Sequence, residues 1–429
     1  MNNFIFRVVD FIANKLDLLI LSPSYRSFGN SVEEIFFGLL YCQENKKKMI
    51  LIRPFKSIFF KKITISNIYL YQLEHELIIK PSFLVNFFFR SLMSFLAGSI
   101  YLNITGRKII AKIFNLQKSF YLNNDLSYMA TQRFGINYLY GFSEKEIYDQ
   151  DKWKKLESEY ISPNLPRELI KTSEEFINNY APNSLKKNWI VMHVLDNTKT
   201  DYARGADIKD YYLAIDYLIQ KGFHVFRIGD NSMPACKREG LTDLAHIEHE
   251  SFIDLYLIQK AFLFIGNQSG PPYATNLFKT DLLVTNLADW STATPRRQGN
   301  FYINKIFYNK LNNKRIPISE LLQKDFNFQV NTNKIDDRDV FLQDNSESEI
   351  LDALKDYLNY LEGSEKYSLE QLTYNENRKK WLYNTLINNK DLKIHYSPKS
   401  KYNLTRIRSI ALSTTSGTMA QSFLEKYWD

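Results

Sequence analysis

Glycine is scarce in this sequence: 15 residues of 429, about half of the usual ~7%. Cysteine is scarcer still. The two cysteines, Cys42 and Cys236, lie far apart and form no Cys-x-x-Cys pair. That excludes a disulfide framework and reads as two free thiols in a reducing compartment. The chain also lacks a Gly-x-Ser-x-Gly elbow, a Walker phosphate loop and a Gly-x-Gly-x-x-Gly fingerprint. Their absence argues against a serine hydrolase, a P-loop ATPase and a dinucleotide oxidoreductase. Met1 to Leu16 mixes apolar residues with Arg7, Asp10 and Lys15. It has neither the long apolar core nor the small-residue cleavage site of a secretory signal.

Aromatic residues, by contrast, make up 15% of the chain, hydrophobic residues 45% and charged residues 24%. This is a globular composition, unlike that of a disordered, collagen-like or coiled-coil chain. The net charge is +8, and the basicity reads as mild and spread out, with Lys46-Lys47-Lys48 the densest run of the first half. A nucleic-acid protein would show a basic stripe interleaved with exposed aromatics, so no nucleic-acid partner is expected. An anionic small ligand or an anionic membrane surface fits the charge as well. Residues 82–104 are the most apolar stretch, interrupted by Arg90, which suits a buried or interfacial segment more than a spanning helix.

The pattern of elements is that of an α/β protein. Leu18–Leu21, a polar loop from Ser24 to Asn30, a helical stretch from Val32 to Tyr41 and the apolar run Met49–Ile52 compose one βαβ unit. Between residues 66 and 140 the aromatic density hides any period. Residues 143–180 look helical, and Tyr180 to Ser184 looks like a linker. Beyond it, apolar runs at Trp189–Val194, Phe223–Ile228, Ala261–Ile265 and Leu282–Val284 alternate with helical patterns at Asp210–Lys221 and Ser251–Lys260 and after Pro271. Such alternation predicts a parallel sheet covered on both faces, which binds ligands beyond the carboxyl ends of its strands. Two further helices are expected near Glu347–Leu361 and Leu369–Asn388. The resulting division is 1–180, 185–345 and a helical segment 346–429.

Six of the fifteen glycines lie between residues 205 and 270, where three constellations could carry chemistry. The first is Gly266-Asn267-Gln268-Ser269-Gly270 before Pro271-Pro272. It is either a seat for a diphosphate or carboxylate at a helix start, or an ordinary capped turn. The second joins His193 at a strand end to Arg204 and Asp207 in the following loop. Arg204 could grip phosphate oxygens, Asp207 could bind ligand or cap the helix, and His193 could be functional or structural. The third, Arg227-Ile228-Gly229-Asp230, could meet a ribose, base or phosphate, or form an in-sheet ion pair and a turn. His246 and His249 lack partners for a metal site, and Asp337-Arg338-Asp339 reads as solvated surface.

In this order, with Tyr211 and Ala214-Ile215, these motifs resemble a family of bacterial glycosyltransferases of the two-Rossmann-domain (GT-B) type, met in surface-polysaccharide gene clusters. Pro23 to Glu34 and Ser422 to Tyr427 are similar too. In that family an arginine usually follows the His-Val pair, where this chain has Leu195 and Asp196. The resemblance implies two Rossmann-like domains facing across a cleft, with C-terminal helices packing back on the N-terminal domain. It implies a metal-independent transfer from a nucleotide sugar, with no further cofactor, to a glycan or lipid-linked acceptor at the cytoplasmic face of the inner membrane. Arg204 and the Asn267–Gly270 turn would stabilise the leaving phosphate. His193 would act as base with Asp196 as rival, and Tyr25, Arg26 and Asn30 would meet the acceptor. Two other functions fit the same fold: an inert binder of sugar nucleotides or glycans, and a sugar-nucleotide epimerase.

Overall fold

The computed structural model describes residues 13, 15–23, 28–53, 66–91, 150–196, 203–288, 294–323, 340–388 and 416–429. Tyr25, Arg26, residues 92–104 of the apolar stretch and the Asp337–Asp339 motif lie outside the described residues. The chain divides into two units. One comprises residues 1–166 with 390–410, the other 167–389 with 411–429.

The first unit contains a three-stranded parallel sheet in the order β1-β2-β3. Strand β1 (Leu18–Leu21) leads through helix α1 (Phe28–Glu44) to β2 (Lys48–Leu51), in register Leu19 to Met49. This is the βαβ unit read from the sequence. Its strands are buried and apolar because α1 covers them with Val32, Ile35, Phe36 and Leu39. Cys42 is buried on the same helix, and burial pushes its thiol up to about 12. Strand β3 (Ile78–Ile79) adds parallel to β2. Helix α2 (Gln150–Glu159) follows at the end of the unit, where Gln43 Nε2 donates to the Glu159 carbonyl.

The second unit opens with α3 (Arg167–Tyr180). The expected linker at Tyr180–Ser184 is instead the start of a packed 3-10 turn, Pro182–Lys186. Ser184 is buried, its hydroxyl donates to the Ala181 carbonyl, and its own carbonyl accepts from the Trp189 indole at 2.9 Å. A Pro-Asn-Ser stretch that reads as flexible is thus fixed by its side chains.

Seven strands then form one sheet. They are β4 (Trp189–His193), β5 (His224–Arg227), β6 (Leu241–Asp243), β7 (Leu263–Gly266), β8 (Asp281–Leu287), β9 (Phe301–Asn304) and β12 (Thr418–Met419). Their order is β12-β9-β8-β7-β4-β5-β6, and every recorded pairing is parallel. The helices between them are α4 (Tyr212–Gln220), α5 (Phe252–Lys260) and α6 (Ala274–Phe278). From β4 the chain first builds outward to β5 and β6, then returns to β7 on the other side of β4. Right-handed crossovers therefore put α4 on one face and α5 with α6 on the other.

Between β9 and β12, a hairpin-like pair β10 (Ile306–Asn309) and β11 (Val340–Gln343) runs antiparallel. Three further helices are α7 (Ile318–Gln323), α8 (Glu347–Leu361) and α9 (Leu369–Asn388). Helix α8 packs against α4 and begins with a capping box between Ser346 and Glu349. The last helix, α10 (Gln421–Tyr427), lies on α8. There Lys426 Nζ and the Tyr427 hydroxyl both meet the Glu349 carboxylate, and Ser422 N donates to Asp356. The residues from 346 onward that are described thus build the second unit together with its sheet. Among the described residues, no helix is long and apolar enough to cross a membrane.

Candidate functional site

The order of the sheet fixes where a ligand would sit. Strands β4 and β7 are neighbours, but the chain leaves them in opposite directions, so their carboxyl-end loops diverge and open a crevice. His193 ends β4 and Gly266 ends β7, and the two are register partners. Gly266 stands there for lack of space. A Cβ would come within 2.8 Å of the His193 carbonyl oxygen and 3.0 Å of the Phe264 ring. Gly270 differs, since its φ of −68° and ψ of −49° suit any residue.

The loops at the crevice are tied together by side chains nominated from the sequence as ligand contacts. The Asn267 amide, fully buried, donates to the carbonyls of Leu195 and Arg204, each at 3.0 Å, and accepts from Leu195 N at 2.9 Å. The Ser269 hydroxyl bridges His193 Nδ1 at 2.9 Å and the Asn267 carbonyl at 3.2 Å. Ala206 N donates back to the Leu195 carbonyl at 2.9 Å. Asp207 takes its helix-capping alternative, accepting from Lys209 N at 2.9 Å. The backbone from the Arg204 carbonyl to Ala206 N is therefore held against Leu195 and Asn267.

His193 itself is buried, 6% exposed. Burial, reinforced by the nearby Arg227 cation and opposed by Asp230, pushes its imidazolium down to about 4. The ring is neutral at physiological pH, and Ser269 occupies Nδ1. A neutral ring with so low a pKa is a weak general base.

Arg227 takes the in-sheet alternative. It is fully buried at the end of β5, and its Nη1 donates to Asp243 at 2.9 Å and to the Pro234 carbonyl at 2.6 Å. The Asp243 carboxylate also accepts from Cys236 N. Two positions on, Gly229 adopts φ +156°. Asp230 is exposed and accepts from Ser232 N, closing a turn. Besides the capping Asp207, four nominated side chains remain in contact with solvent at this edge: Arg204, Gln268 and Asp196, all half-buried, and Asp230.

One important residue escaped sequence reasoning. Lys305 follows β9 directly and is buried, yet its ammonium reaches the Gly205 carbonyl at 2.7 Å and Asp344 at 2.5 Å. Burial lowers its pKa while Asp344 opposes that shift. Asp210 stands near the same acid group, and burial, followed by the charges of Asp207, Asp344 and Glu347, raises it to about 6. The only local signal for Lys305 was its place just after the apolar run Phe301-Tyr302-Ile303. His246 and His249 are engaged elsewhere, with the Met233 carbonyl and with Ile247 and Asp254. Among the described residues, no group of three or more His, Cys, Asp and Glu is arranged to hold a metal.

Comparison with known proteins adds little to this geometry. No family model matches the chain, and no curated protein does. A solved structure described as the glycosyl transferase family 9 from Veillonella parvula DSM 2008 aligns with 47% of this chain and 54% of its own, at 8% identity and a TM-score of 0.30. The chain thus spans about half the length of that neighbour. Similarity at that level says nothing about activity, so the functional reading rests on the site.

Proposed function

We propose that this chain is a glycosyltransferase of the two-Rossmann-domain type. It would take a nucleotide-sugar donor at the β4/β7 crevice and deliver the sugar to a glycan or lipid-linked acceptor in cell-surface polysaccharide synthesis. The observation that carries the reading is the switch point itself, with β4 and β7 ending side by side at His193 and Gly266 and no room for a Cβ at Gly266. Sheets of this kind bind nucleotides at such a point. The motif resemblance supplies the sugar.

In this reading Arg204, held by its backbone at the crevice, faces the leaving diphosphate together with Gln268 and the backbone N–H groups of residues 268–270. Removing one such donor lowers the rate by about 10²–10³. Asp230 would reach the ribose or base. Transfer with inversion requires a base for the acceptor hydroxyl. Asp196, partly open to solvent, suits that role better than the buried His193. Asn30, exposed on α1, is the acceptor-side candidate within the described residues. The second reading, an inert sugar-nucleotide binder, is favoured by one observation: the buried, weakly basic His193.

The test is a panel of UDP-, GDP-, CMP- and TDP-sugars. A donor raises the melting temperature at millimolar concentration, and slow hydrolysis without acceptor marks a transferase. Interconversion of sugars marks an epimerase, and binding without turnover marks the inert protein. Arg204→Ala should stay folded and lose donor binding. A flat response to every nucleotide overturns the assignment of the crevice.

A further inference from the structure

Residues 83–91 form a helix in the first unit that is packed inside out. Its buried side chain is a polar one, Asn86, 5% exposed, while Phe83, Leu84, Phe87 and Phe88 are 72%, 75%, 53% and 59% exposed. The polar residues hold the helix to the sheet. Arg53 N donates to Asn86 Oδ1 at 2.7 Å, and Asn86 Nδ2 returns a bond to the Arg53 carbonyl. One turn on, Arg90 Nη1 donates to Ser22 Oγ at 3.4 Å. Ser22 and Arg53 lie just beyond the carboxyl ends of β1 and β2. The helix is thus anchored at that edge of the sheet with an apolar stripe at i, i+1, i+4 and i+5 turned to solvent, where Phe83 and Phe87 stack at 6.2 Å between ring centroids. A water-facing stripe of this kind marks an interaction surface.

The charge of the sequence on either side of this helix is uneven in a way that the chain-wide balance conceals. Residues 45–124 contain thirteen Lys and Arg against two acids, Glu74 and Glu76. That is +11 for this stretch, whereas the whole chain carries +8, so the remainder is net negative. The basicity is concentrated in this stretch, contrary to the expectation of a mild charge spread along the chain. From Leu77 to Asn124 there is no acidic residue at all.

We propose that the exposed stripe of residues 83–88 inserts into an anionic lipid surface, which the net positive charge of the sequence flanking it attracts. An apolar helix face within a basic stretch of sequence is the composition of an interfacial helix. The stripe itself carries Phe and Leu and no Lys, Arg, Asn or Tyr, which favours hydrocarbon over the phosphates and base edges of a nucleic acid. The inference goes beyond glycosyl transfer and does not depend on it.

The full chain is tested by co-sedimentation with vesicles of phosphatidylcholine alone and of phosphatidylcholine mixed with phosphatidylglycerol. It should bind the mixed vesicles, and at least about tenfold more weakly the neutral ones and the mixed ones in high salt. The combined variant Phe83→Ser, Leu84→Ser, Phe87→Ser and Phe88→Ser should bind mixed vesicles at least about tenfold more weakly, with its melting temperature and nucleotide response unchanged. As a variant that keeps the face apolar, Phe87→Trp should show a blue-shifted emission with mixed vesicles only. Four results would each overturn the proposal: no binding of the wild-type chain to mixed vesicles, wild-type binding by the serine variant, a Trp emission that does not shift, or a dimer that the serine substitutions dissociate. Binding of single-stranded RNA without vesicle binding would overturn it as well.

Discussion

Replacing Gly266 by alanine tests the geometry on which the crevice depends. The added Cβ would lie 2.8 Å from the His193 carbonyl oxygen, 3.0 Å from Phe264 Cε1 and 3.4 Å from Pro272 Cγ. The first of these is backbone of the neighbouring strand, so no side-chain rotation relieves it. The strand ends must separate by several tenths of an ångström, as in other overpacked interiors, at about 1–3 kcal/mol. For a unit of this size that is a fall of about 2–12 °C in melting temperature. The displaced carbonyl also accepts from Asn267 N, so the movement carries into the 267–270 turn and donor affinity should fall with stability. Gly270→Ala is the control, because the backbone there is ordinary right-handed helix and the substitution should be neutral or slightly stabilising. The assay is thermal unfolding with and without the best nucleotide. Equal melting of Gly266→Ala and wild type, or equal damage from both substitutions, would refute the close approach of β4 and β7.

Three other expectations are independent of that one. Arg227→Met should cost roughly 3–5 kcal/mol by urea unfolding, because it strands the Asp243 carboxylate in the interior; an unchanged midpoint would refute the ion pair. His193 stays neutral down to about pH 4 when folded but charges near 6.5 when unfolded, so its contribution of roughly 3 kcal/mol is present above pH 6.5 and lost as the pH falls towards 4. His193→Gln should therefore show a flatter loss of stability than wild type across that window, and parallel curves would count against the burial argument. Lys305→Met should cost less than Arg227→Met, since the Asp344 carboxylate it leaves is 30% exposed and open to water, and should weaken donor binding by freeing the Gly205 carbonyl; unaltered affinity would separate Lys305 from the site.

The parts of the fold legible in the sequence are those with local causes. Strands β4, β5 and β7 are short apolar runs that end at a polar or glycine residue, and α8 carries helical periodicity over several turns. What escaped reading has distant causes. Strand β12 is two residues, Thr418 and Met419, that pair with Phe301 and Tyr302 from more than a hundred residues away, and nothing local marks so short an edge. Strand β9 ends in Asn304 and is flanked by Asn300 and Lys305, all three of which look like surface and are buried. Asn300 is held by Leu282 N and the Tyr357 hydroxyl, and the Asn304 carbonyl by Asn345. Residues 83–91 invert the polar-out rule altogether. Phenylalanine faces water there because Asn86 and Arg90 have specific partners at the strand ends, a preference that no hydropathy pattern encodes.

The candidate site shows the same ambiguity at closer range. A loop that approaches a ligand with its backbone must first satisfy its own carbonyls and N–H groups, and short polar side chains nearby are the means. Asn267, Ser269 and Asp207 stand where ligand contacts would stand, and all three hold the loops. Their chemistry, a small side chain with both donor and acceptor capacity or a carboxylate at a turn, serves either purpose equally well. Position relative to solvent separates the two. Recognition falls to groups that the tied loops present outward, so Arg204, fixed through its own carbonyl and its neighbour's, is a stronger candidate than Arg227, whose guanidinium is enclosed between β5 and β6. The glycines follow the same division: of Gly229, Gly266 and Gly270, only Gly266 is required by the approach of another backbone, and it marks the point where the two loops diverge.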